Sequence, residues 1–112
     1  VAHTAFSAAI ATAVVELRQP PFDVEEHAWR DPGDYARTQA FARVAREAGV
    51  GDIVYRSVRD PQYAWCLAEQ APAGFAQPSP HPEMQTWFLT VSPREVTWRR
   101  DRESMCFATT DW

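Results

Sequence analysis

A chain of 112 residues with a formal net charge of −4 holds one small domain or part of a larger one, and it carries no basic footprint for direct nucleic-acid binding. Hydrophobic residues at 46% and charged residues at 23% exclude wholesale disorder. The longest apolar stretch, around Ala8 to Val15, is too short to span a bilayer and lacks the basic flank of a signal peptide, so no membrane association is expected.

Ala13-Val14-Val15-Glu16-Leu17 reads as a strand, which Pro20 and Pro21 end. Phe22 to Arg30 follows as an acidic segment, a surface loop or a single helical turn, and Trp29 is placed to pack on the helix after it. That helix is the strongest local signal. Asp31 is a suitable N-cap, Pro32 fits the first helical position and Asp34 sets a carboxylate near the positive end of the helix dipole. Phe41, Val44, Ala45 and Ala48 recur at helical spacing, and Gly49 supplies the left-handed stop. Tyr35 and Gln39 lie one turn apart and are expected to cover a pocket rather than face it.

Ile53-Val54-Tyr55-Arg56-Ser57 reads as a buried strand with a polar end, continuing through Val58 and Arg59 to an Asp60-Pro61 turn. Ala64 to Glu69 is expected to return as its antiparallel partner. Four prolines between Ala71 and Glu83 mark a surface loop. Beyond it, residues 86–91, 95–98 and 105–108 form a three-stranded meander. The fold class is α+β, a mainly antiparallel sheet with one principal helix, and residues 1–112 read as a single domain.

By the period of two, Ser57 shares a face with Tyr55, and with Arg59 if the strand stays extended, whereas Arg56 points to the other face. His3, His27 and His81 are dispersed, and Cys66 and Cys106 are isolated. No metal site is expected from such spacing, and both thiols are expected to be reduced and packed in a cytoplasmic protein. Only four glycines occur, none in a GxGxxG or Walker pattern, which excludes dinucleotide binding of the doubly wound kind.

The run DPGDYARTQAFARVAREAGVGDIVYRSVRDP, with CLAEQAPAGFA, TWFLTV and the earlier HTAF, resembles the C-terminal part of an RES-domain protein over most of residues 3 to 100. The family is named for an arginine, a glutamate and a serine scattered through its sequence. Its I-x-Y-x-S strand matches Ile53, Tyr55 and Ser57. The resemblance implies a fold similar to ADP-ribosyltransferases and a toxin that consumes NAD or transfers its ADP-ribose, partnered by an Xre-like antitoxin with a helix-turn-helix domain. It implies Ser57 as a catalytic residue; Tyr55 and Ser57, with Arg59 on the same face if the strand stays extended and able to touch a phosphate, are expected toward the NAD substrate. The named arginine and glutamate lie upstream of HTAF in the family, so the chain is expected to be a partial domain with little activity alone. Arg102-Glu103-Ser104 spells the family name by coincidence. The competing expectation is an inactive binding or oligomerisation module whose strands and five tryptophans meet a partner or a second copy.

Overall fold

The structure, a computed structural model, describes residues 1–111. Its strands are β1 (Ala2–Phe6), β2 (Val14–Glu16), β3 (Asp52–Arg56), β4 (Trp65–Glu69), β5 (Met84–Val91), β6 (Glu95–Arg100) and β7 (Glu103–Ala108), and its helices are α1 (Glu26–Trp29) and α2 (Ala36–Glu47). The α+β class is as expected. The strands, however, divide between two sheets, and the chain clusters into two compact units rather than gathering around one sheet.

The first unit joins residues 1–9 to residues 77–112. Its sheet, ordered β1-β5-β6-β7, is antiparallel throughout. The β5-β6-β7 meander is the expected one. Strand β1, which sequence reasoning does not isolate, pairs along β5 from Ala2 opposite Phe88 to Phe6 opposite Met84. Register puts Leu89, Trp98 and Met105 on one face together with Trp87, Val96 and Phe107, and Val96 is buried at its centre. His3 stands edge-on to Trp98 with ring centroids 5.2 Å apart.

The second unit, residues 10–76, holds a sheet ordered β2-β3-β4. β2 and β3 run parallel, with Val15 opposite Ile53, and the chain between them contains both helices. A parallel pair requires such a crossover connection. β3 and β4 form the expected antiparallel hairpin, Tyr55 opposite Cys66. Between sheet and α2 lie Leu17, Trp29, Ala45 and Ile53, with Phe22 and Phe41 packed against them.

Helix α2 starts later than its sequence suggests, and the capping arrangement explains why. The Asp31 carboxylate accepts the N–H groups of Gly33 and Asp34, both at 2.9 Å, closing a local turn instead of a helix, and these two bonds hold its carboxyl below the usual range. Asp34 in turn accepts the Ala36 N–H at 2.9 Å. The first helical carbonyl is that of Tyr35, which takes the Gln39 N–H. The buried face also shifts: Phe41, Ala42 and Ala45 turn inward, whereas Val44 and Ala48 are exposed. At the other end Gly49 adopts φ +80° and stops the helix as expected. Its neighbour Val50 donates back to the Ala45 carbonyl at 2.9 Å.

The short link into β3 is tight at Gly51, which is buried. A Cβ there would lie 2.1 Å from Thr12 Oγ1 and 2.8 Å from Thr12 Cβ. Gly51→Ala is therefore expected to destabilise the protein by about 1–3 kcal/mol, read from the urea midpoint. Thr12→Gly in the same chain is expected to recover part of that loss, as it removes the atoms in the way.

Candidate active site

The end of β3 is set by a hydroxyl. Ser57 N–H donates to the Ala64 carbonyl at 2.7 Å, the last rung of the hairpin, and Ser57 Oγ then accepts the N–H of Arg59 at 3.3 Å and of Asp60 at 3.1 Å. These bonds bend the chain at Val58 and Arg59, so the strand stops at Arg56. The condition for Arg59 to share the face of Ser57, an extended strand, is not met, and Arg59 lies exposed in the bend. Ser57 itself is half-buried and keeps its O–H free to donate after accepting twice.

Between α2 and the sheet of the second unit opens a groove of about 330 Å³. Trp29, Tyr35, Phe41 and Tyr55 give it aromatic walls; Thr38, Gln39 and Gln70 supply neutral hydrogen-bonding groups, and Val58 closes one side. Among the described residues no charged side chain lines it. Such a hollow suits a flat, polar-edged ring more than a phosphate. Tyr35 and Gln39 line the groove instead of only covering it, because the late start of α2 leaves Tyr35 at its N-terminal end, its hydroxyl donating to the Pro32 carbonyl at 2.9 Å. Tyr55 lines it as well, and Ser57 does not, although Val58 beside it does.

The Tyr55 hydroxyl is pushed above its ordinary range, first by burial and then by the thiol of Cys66 across the hairpin. It is therefore a neutral donor at physiological pH. On the far side of Tyr55 a second hollow of only about 10 Å³ gathers Arg18, Arg30 and Arg56 with Asp23 and Glu26. These cations are already partnered: Arg56 meets Glu26 at 3.2 Å, Arg30 meets the same carboxylate at 3.6 Å, and Arg18 meets Glu16 at 2.5 Å. The Arg18 hydrogen bond holds the Glu16 carboxyl below its usual range. Arg30 also covers the Tyr63 ring at 4.2 Å.

Cys66 is half-buried, and Cys106, expected to be packed, is exposed, its thiol 3.2 Å from Glu95 Oε2. Among the described residues no three His, Cys, Asp or Glu side chains gather to hold a metal, and no helix is long and apolar enough to cross a membrane. Sequence reasoning missed Thr38 and Gln70 as groove residues. Gln70 lies just beyond β4, and only the hairpin register brings it round to α2, where Arg46 donates to its Oε1 at 3.2 Å.

These features describe an α+β protein in which one hairpin and one helix enclose an aromatic groove, with a serine-built turn where the leading strand ends. The model of the RES domain matches residues 1–99, and the chain belongs to the RES-domain family. No curated protein matches it.

Proposed function

We propose that the protein acts in NAD consumption as an RES-type toxin, breaking the bond between nicotinamide and ribose. The observation that carries this reading is that, in a chain of this family, β3 brings Tyr55 into an aromatic groove lined by neutral side chains and is followed by a turn built on the hydroxyl of Ser57. Cleavage builds positive charge on the ribose as neutral nicotinamide leaves, a transition state like that of glycoside hydrolysis. A flat pocket with amide and hydroxyl edges suits the departing ring and its carboxamide. Ser57, with a free O–H, is the group assigned to hold a ribose or carboxamide oxygen, and the exposed Arg59 in the following bend is the cation assigned to the diphosphate. The acceptor of the ADP-ribose is phosphate, water or a protein side chain. On this reading the partner is an Xre-like antitoxin and the setting is the cytoplasm.

The test is incubation of the protein, as its gene encodes it, with NAD. Nicotinamide is expected to appear in step with loss of NAD; NAD left intact by folded protein would overturn the reading. A second reading, an inactive binding module, draws on the exposure of Phe6 (62%), Phe88 (56%) and Val91 (65%) in the four-stranded sheet. It requires concentration-dependent association by sedimentation with NAD untouched.

A further inference from the structure

β3 and β4 set two carboxylic acids opposite each other, Asp52 against Glu69, at the closed base of the hairpin where Gln70 N–H donates to the Gly51 carbonyl at 2.7 Å. Asp52 is the most deeply buried side chain described, with 0% exposure. Neither of its oxygens meets a donor, and Glu69 Oε2 is likewise buried without one. Glu69 Oε1 accepts the Ala71 N–H at 3.0 Å. An ionised carboxylate accepts only, so two of them facing each other across the hairpin with no other donor satisfy each other only when one carries a proton.

Among the described residues the surroundings supply no other neutralising charge. On β2 the residue opposite Asp52 is Val14, and the Pro72–Gly74 turn carries no ionisable side chain and lies so close that a Cβ on Gly74 would lie 2.3 Å from both Glu69 oxygens. From the end of α2, Arg46 is engaged with the Gln70 side chain. Among the described residues no ion pair involves Asp52 or Glu69.

We propose that Asp52 and Glu69 share one proton as a latch on the base of the β3–β4 hairpin, held while the proton is bound and released as rising pH removes it. Burial first, and then the bond to Glu69 and its charge, hold the Asp52 carboxyl above its ordinary range, in keeping with this geometry. The folded state therefore binds this proton more tightly than the unfolded chain does. Its contribution to stability is full below the unfolded carboxyl value near pH 4 and is lost as pH rises through the folded one. The latched strand is also the one that carries Tyr55 into the groove.

The experiment is urea unfolding of the full chain from about pH 4 to about pH 9, with ¹³C carboxyl shifts followed by NMR over the same range. The unfolding constant of the wild type is expected to rise, by up to about tenfold per pH unit, across the titration of one carboxyl that ionises well above the others. Asp52→Asn, whose amide donates without titrating, is expected to abolish that rise and the late-titrating resonance, and Glu69→Gln, which leaves Asp52 buried but offers its carboxylate a donor, is expected to move both to lower pH. Two outcomes overturn the latch: a wild-type protein whose carboxyl carbons all titrate in the ordinary range, or variants with an unchanged pH dependence. If a variant does not fold, the wild-type carboxyl titration decides alone.

Discussion

On the proposed reading, Ser57→Ala is expected to slow NAD cleavage on the order of 10²- to 10³-fold, the usual cost of deleting one hydrogen-bond donor aimed at developing charge. The same substitution also removes the acceptor for the N–H groups of Arg59 and Asp60, so part of any loss comes from a loosened turn. That structural share is small, about 1 kcal/mol, as for other capping hydroxyls near solvent. Ser57→Asp separates the two effects, since its carboxylate accepts the same N–H groups in the same kind of turn and offers no donor near neutral pH. If the hydroxyl acts on NAD, the aspartate variant keeps the wild-type urea midpoint and is at least as slow as the alanine one. Full activity in Ser57→Asp would show that Ser57 shapes the turn and nothing more. Ser57→Thr, which retains both acceptor and donor, is expected to recover most of the rate.

Much of the second unit was legible in the sequence because its signals are local. The stop at Gly49, the strand at Val14–Glu16 and the β3–β4 hairpin each follow from residues within a few positions of one another. The start of α2 misled because Asp31 was competent for two structures; its carboxylate took the two nearest N–H groups in a turn and left Tyr35 to open the helix. The division into two sheets was hidden for a different reason. β1, at Ala2–Phe6, finds its partner in β5, at Met84–Val91, most of the chain away, and the pairing of β2 with β3 is parallel, so neither leaves a turn signature between the strands. The same non-locality hid Gln70 in the groove and Glu69 opposite Asp52, both set by hairpin register. Strand periodicity sets Tyr55, Ser57 and Arg59 on one face, but of the three only Tyr55 lines the groove, and only the hydrogen bonds at Ser57 Oγ reveal that the strand has already ended.

Trp29→Ala is expected to destabilise the protein by about 3–5 kcal/mol, a large share of the stability available to a domain of this size. Trp29 is 8% exposed, and its ring sits 5.2 Å from that of Phe41, which in turn meets Phe22 edge-on at 5.5 Å. Its indole N–H donates to the Phe22 carbonyl at 2.8 Å, tying the turn before α1 to the core. Alanine removes the ring, leaves that carbonyl without its donor and opens a cavity continuous with the groove, since Trp29 is one of the groove walls. Trp29→Phe keeps an aromatic wall and loses only the donor and part of the volume, so its cost is expected to be about 1–2 kcal/mol. Urea midpoints at equal slope measure both. Were the alanine variant to unfold within 1 kcal/mol of the wild type, by the standard large-to-small core cost of about 3 kcal/mol or more, Trp29 would be a cover over the groove and not the keystone between α1, α2 and the sheet.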